Sequence, residues 1–303
     1  MKNKYYFKVA GFRFAIESEA CFDLKEILPS YQPFRQKGAG GDKLLFTMNV
    51  EFVSPERELK HEGHFIVRDE NDMGRLSLYG NEKNYMLSVS HVDIRSLPHR
   101  MFASPDFRNL VAYLRLGRSD WGPALNSMLR FAFSQAILAY GAVSVHASAV
   151  QVKGFVYLFM GKSGTGKSTH ARLWLDAVDG AELLNDDNPI LRLTDNGSVI
   201  AFGSPWSGKT SCYKNRMGKL RAVVRLSQAD ENRYKALGGI DAFAELLPGC
   251  MSLPSEPALY ENLCDTLQSL VGCGIAVGRL HCLPRREAAE LCYHETNKLK
   301  NRK

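Results

Sequence analysis

The chain has 303 residues, of which 45% are apolar and 23% charged, and it carries a net charge of +7. That length suffices for about two domains whose cores need no metal or disulfide staple. The composition excludes a disordered tail, a collagen-like fibre and a membrane bundle. Part of the positive excess sits in the terminal Lys298–Lys303 run, a solvated end, so charge alone does not argue for nucleic-acid binding.

The seven cysteines are odd in number and none forms a Cys-x-x-Cys pair, which points to reduced thiols in a cytoplasmic protein rather than a disulfide framework or a zinc ribbon. The segment Met1–Lys8 has no apolar run of signal-peptide length, and no stretch approaches the roughly 18 apolar residues of a membrane span. Neither export nor membrane insertion is expected.

In chain order, Tyr5–Ile16, Leu44–Val53, Gly63–Val67, Arg75–Tyr79 and Asn84–Val89 are short alternating or apolar runs separated by turn formers. They predict a small, mostly antiparallel β domain over residues 1–120. Within it, Arg95–Arg118 contains Pro98 and Pro105 and reads as a connection plus a short helix. A helix then carries Leu125, Met128, Leu129, Ala132, Phe133, Ala136, Ile137 and Tyr140 on one stripe, with Pro123 in its first turn and Gly141 at its end. Val143–Val152, containing His146, reads as a strand. After the Lys153-Gly154 turn, Phe155–Met160 reads as a buried strand.

Directly after that strand stands Gly161-Lys162-Ser163-Gly164-Thr165-Gly166-Lys167-Ser168, a full G-x-x-x-x-G-K-S/T match, followed by an amphipathic segment from Thr169 to Val178. Strand, glycine loop and helix come in the order a phosphate cradle needs. Glycines turn successive N–H groups into one concavity and the helix N-terminus adds its dipole. Lys167 then reaches the β- and γ-phosphates and the Ser168 hydroxyl takes a place on Mg²⁺. The expected ATP-contacting set is Gly161, Ser163, Gly164, Thr165, Gly166, Lys167, Ser168 and Thr169.

A second match, Gly203-Ser204-Pro205-Trp206-Ser207-Gly208-Lys209-Thr210, contains a proline that lacks an N–H and a bulky tryptophan, and no helical pattern follows it. It reads as a substrate-side or lid loop with Lys209 as a second phosphate contact, or as a structural turn. Between the two matches, Ala181–Leu184 ends in Asn185-Asp186-Asp187-Asn188-Pro189. Acidic residues there suit metal binding and proton acceptance in a nucleotide enzyme, the other reading being a turn into the Ile190–Phe202 hairpin. Leu259–Val271 and the segment opened by Pro284 read as helices flanking an Ile275–Leu283 strand. Arg279, Arg285 and Arg286 read as surface charges, the other reading being phosphate contacts.

His146-Ala147-Ser148, the glycine loop, the Asp186-Asp187 pair and the antiparallel strands after it resemble the C-terminal domain of HPr kinase/phosphorylase and of the P-loop kinases related to it and to ATP-dependent phosphoenolpyruvate carboxykinase. The resemblance spans roughly Leu125 to the C-terminus. It implies His146 near the phosphates, Asp186 as proton acceptor and Asp187 on the metal, and it implies a homo-oligomer. Lys162 and Thr169 stand where HPr kinases carry acidic residues.

The expected fold class is α/β: a P-loop domain with a mixed sheet of HPr kinase/phosphoenolpyruvate carboxykinase type over 121–303, behind the β domain. The expected activity is ATP- and Mg²⁺-dependent phosphotransfer to a hydroxyl on a protein, peptide or small molecule, with Asp186, Lys167 and His146 at the chemistry and Ser168 and Asp187 on the metal. The alternative is a nucleotide-binding regulatory or scaffold protein that transfers no phosphate.

Overall fold

The computed structural model describes residues 2–38, 40–41, 43–71, 74–90, 96–208, 210–251 and 253–298. Lys209, Arg95 and the 299–303 end of the basic tail lie outside the described residues. The chain divides into two compact units, Met1–Ile137 and Leu138–Lys303.

The first unit is built on β1 (Asn3–Val9), β2 (Phe12–Ser18), a single turn α1 (Leu24–Ile27), β3 (Arg35–Gln36), β4 (Thr47–Val53), β5 (His64–Asn71), β6 (Gly74–Gly80), β7 (Tyr85–Ser90), β8 (His99–Ala103), β9 (Asn109–Arg115) and helix α2 (Trp121–Ala136). Its sheet has the order β3-β1-β2-β4-β9-β8-β7-β6-β5. All neighbours are antiparallel except β2/β4 and β4/β9. The Tyr5–Ile16 run is a hairpin, because Ala10 and Gly11 both take positive φ (50° and 85°), the backbone that a two-residue hairpin turn needs. Helix α2 packs on the sheet through Phe133, whose ring meets those of Phe12 and Phe14 edge-on. The boundary between the units falls after this helix.

The reading of 95–118 as a connection with a helix is corrected: 99–103 and 109–115 are strands β8 and β9, paired to each other. His99, Met101 and Ala103 are buried in alternation, as are Leu110, Ala112 and Leu114, so period two wins. Both prolines lie just outside the strands, where a missing N–H costs the ladder nothing.

The second unit contains β10 (Ala142–Ser144), β11 (Ala147–Val152), β12 (Phe155–Met160), α3 (Lys167–Ala177), β13 (Ala181–Asp187), β14 (Ile190–Leu193), β15 (Val199–Phe202), β16 (Met217–Gln228), β17 (Arg233–Leu237), α4 (Gly239–Leu246), α5 (Pro257–Gly272), β18 (Ala276–Cys282) and α6 (Arg286–Lys298). Strands β12, β16 and β18 run parallel. Strand β11 runs antiparallel to β12 on one side and to β13 on the other. The result is a mixed sheet with helices on both faces. Val156, Leu158 and Met160 meet the core of α4 and α5, whereas Tyr157 and Phe159 meet the core of α3 and α6. Burial on both faces is why 155–160 reads as an unbroken apolar run.

The predicted single strand Val143–Val152 is split. The amide of Val145 donates to Pro189 O and that of His146 to Gly249 O, which takes both off the ladder and leaves His146 between β10 and β11. Strand β17 and helix α4 have no counterpart in the sequence reading. Among the described residues no helix is long and apolar enough to cross a membrane.

Helix α3 is fixed to the sheet by one aromatic knot. Trp174, fully buried, has its ring centroid 4.7 Å from that of Tyr157, 5.1 Å from Phe159 and 5.5 Å from Tyr293. Its indole N–H donates to His170 Nε2 at 3.1 Å. Trp174→Ala removes this packing and leaves a cavity. Chemical denaturation should register a loss of about 3–5 kcal/mol, and a loss under about 1 would contradict the assigned packing.

Burial also pushes the His170 imidazole down to about 4. As pH falls, the unfolded chain therefore takes up a proton before the folded one. The stabilisation is complete above pH 6.5, drains between 6.5 and 4, and is gone below. Denaturation at pH 7 and pH 4.5 should show the native protein losing about 2 kcal/mol more over that interval than His170→Gln. Equal losses would contradict a neutral buried imidazole.

Candidate functional site

The register of β11 assembles the site. Ala147, its first residue, pairs with Met160 at the end of β12 and with Asp187 at the end of β13. One edge of the sheet therefore carries His146, the loop that begins at Gly161, and the Asp186-Asp187 pair.

The loop is shaped by its glycines. Gly164 and Gly166 take φ of 80° and 98°, in the left-handed region. A Cβ at Gly161 would collide with the Thr165 hydroxyl. Gly166 caps α3 without a side-chain bond, so the amides of the first turn, which includes Lys167, Ser168 and Thr169, have no side-chain cap and favour an anion. Thr165 Oγ1 donates to Lys162 O at 2.7 Å. Lys167 Nζ lies over the loop and donates to Gly161 O at 3.0 Å and Lys162 O at 3.3 Å. Burial pushes its ammonium below the usual lysine value, while the Asp187 and Asp186 carboxylates pull the other way. The lysine and both acids thus share one field. Ser163 is exposed, and Ser168 is partly buried in the first helical turn.

The acids are held from several directions. Asp187 Oδ1 pairs with His146 Nδ1 at 2.8 Å, with the imidazole about half exposed. Asp186, only 4% exposed, accepts from Ser148 Oγ at 2.6 Å on Oδ1 and from the Thr210 amide at 3.3 Å on Oδ2. Asn185, fully buried, accepts from the amides of Asp187 and Asn188 through Oδ1. Its Nδ2 donates to Ser204 O, Ser204 Oγ and Trp206 O.

Those last bonds fix the second glycine match. Ser204 and Trp206 are buried, the Gly208 amide donates to Asp186 O at 2.7 Å, and Ser207 bridges to Asp187. Residues 211–216 form no helix, and β16 begins at Met217. This segment has no helix N-terminus to offer an anion. It is a wall tied to the acidic strand rather than a free lid. The position expected to add a second phosphate contact, Lys209, is outside the described residues.

Of the arginines read as surface charges, Arg279 pairs with Glu245, and Arg286 with Glu290 at 2.8 Å. Glu245 also holds Arg225 at 3.2 Å, at the end of β16. Sequence reasoning gave no role to Ser148, Asn185, Arg225 or Glu245. Ser148 carried one usable signal, a polar residue where Val150 and Val152 continue the same strand face as core.

Beside the loop, at the ends of β16 and β18, opens a cavity of about 650 Å³. Gly164, Thr165, Thr169, Leu173, Leu226 and Pro284 line it. Its size and its mixture of apolar wall and loop polar groups suit a nucleoside.

No family model and no curated protein matches the chain. Among solved structures it is similar to the HPr(Ser) kinase/phosphatase from Coxiella burnetii, at 14% identity over 52% of this chain and 99% of that one, with a TM-score of 0.30.

Proposed function

We propose that the chain is an ATP- and Mg²⁺-dependent phosphotransferase acting on a hydroxyl of a protein, peptide or small molecule. One observation carries the reading: the strand register brings the start of the Gly161–Ser168 loop and the Asp186-Asp187 pair to one end of the sheet, beside the N-terminus of α3 and a cavity of nucleoside size. The loop amides from Gly161 to Ser168 and the Lys167 ammonium bind the β- and γ-phosphates. To do so, Lys167 exchanges its two carbonyl partners for phosphate oxygens.

Ser168 Oγ and Asp187 are hard oxygen donors, the kind Mg²⁺ takes when it keeps its waters and shares phosphate oxygens. Lys167 stands in the field of the Asp187 carboxylate, which supports a role for that carboxylate beside the bound phosphates. Magnesium, when bound, neutralises charge on the phosphates. His146 orients Asp187 through its 2.8 Å bond.

Asp186 accepts the proton of the acceptor hydroxyl as its oxygen bonds to the γ-phosphorus and the bond from that phosphorus to the ADP oxygen breaks. The Lys167 ammonium stabilises the charge that develops on the transferring group.

Transfer from γ-labelled ATP in a lysate of the source cell tests this. Lys167→Ala should lower labelling at least about 100-fold with the melting temperature unchanged, and undiminished labelling would overturn the mechanism. Asp186→Asn should keep nucleotide affinity and lose turnover. If the native protein binds ATP yet labels nothing, it is a nucleotide-binding regulator instead.

A further inference from the structure

Strand β13 carries one residue more than β11 across their shared ladder. Val150 pairs with Leu183 and Ala149 with Asn185, so Leu184 is left without a partner. Without that bulge Asn185 would face Ser148. With it, Asp186 does, and the side-chain alternation beyond this point is reversed. Ala147 and Ala149 lie in the core of α4 and α5, and Val150 and Val152 in that of α3 and α6. Ser148, between them, belongs to the α3 face, and the bulge delivers Asp186 to that same face.

Both residues are buried, at 1% exposed for Ser148 and 4% for Asp186, so little accessible surface is left on the carboxylate. A serine hydroxyl has one hydrogen to give, and here it goes to Asp186 Oδ1 at 2.6 Å, a short bond to an acceptor that is strong when ionised. Among the described residues, the other bond on that carboxylate is the longer one from the Thr210 amide to Oδ2. The Lys167 ammonium lies over the loop that leaves β12, the neighbour of β11 on the side away from Asp186, and carries the opposite charge.

We infer that Ser148 is a positioning residue for Asp186, pinning Oδ1 so that the carboxylate stays off Lys167 and Oδ2 faces the acceptor hydroxyl. This rests on the phosphotransferase reading above. Loss of the pin lets Asp186 swing onto Lys167, which disables the proton acceptor and the phosphate cation together in the reacting complex while the triphosphate still binds through the loop amides.

Ser148→Ala and Ser148→Thr, each with melting temperature, nucleotide affinity, kcat and KM for ATP measured beside the native protein, provide the test. The alanine variant should fold normally, hold nucleotide within about twofold, and lose about 10- to 100-fold in kcat. The threonine variant, which keeps the hydroxyl, should recover most of that loss. An alanine variant with native kcat overturns the inference. So does one whose kcat falls only in step with its stability or nucleotide affinity, and so does a folded threonine variant as slow as alanine. A native protein that transfers no phosphate removes the phosphotransferase reading itself, an outcome distinct from all of these.

Discussion

Strand β11 lies between β12 and β13 and runs against both, so the residues that open it meet the residues that close its two neighbours. A glycine loop leaving one neighbour and an acidic pair ending the other are thereby fixed within one sheet edge, although nearly twenty residues of chain separate them. A slip of one position along this ladder would turn Val150 and Val152 out of the α3 and α6 core, so the hydrophobic pattern protects the register that assembles the site. The bulge at Leu184 is the single exception, and it falls beside the residues whose direction matters most.

Distant segments brace the same edge. Gly249 sits so tightly on Met160 that a Cβ would collide with it, and its carbonyl takes the His146 amide. A few residues earlier, Glu245 gathers Arg225 and Arg279, closing α4 onto the ends of β16 and β18. From the other side, Asn185 and Ser204 lock the 203–208 wall onto β13. On the opposite face Trp174 holds α3, and with it the first-turn amides, against β12. These restraints tie the acids and the helix N-terminus to the sheet, and the proposed phosphotransfer draws on that, since electrostatic stabilisation needs groups already in place.

What was legible in the sequence is what local chemistry decides. The order of an apolar run, a glycine loop and an amphipathic helix over 155–178 needs only neighbouring residues, and it is there in the structure. So is the Ile190–Phe202 hairpin, whose strands β14 and β15 pair antiparallel around Asp195-Asn196-Gly197. What escaped depends on partners far along the chain. Val143–Val152 has the composition of one strand, and only Pro189 and Gly249 break it at His146. Arg100 and Phe102 obscured the alternation of β8 because that face of the sheet is half-exposed and tolerates both residue types. The second glycine match was ambiguous because Pro205 and Trp206 rule out a phosphate cradle without revealing that Asn185 would tie the segment down. Ser148 was quoted for the resemblance but given no role, because a serine in a strand gains meaning only from the residue opposite, and a bulge of one residue decides which residue that is.

The central claim is that the Gly161–Ser168 loop, with Lys167, grips a triphosphate. Phosphorus NMR of ATP with magnesium, titrated with the protein, reads this at the atoms concerned. The account predicts that the β- and γ-phosphorus resonances shift and broaden as protein is added, and that Lys167→Ala largely abolishes the effect. Resonances that stay at their free positions in excess protein would contradict it.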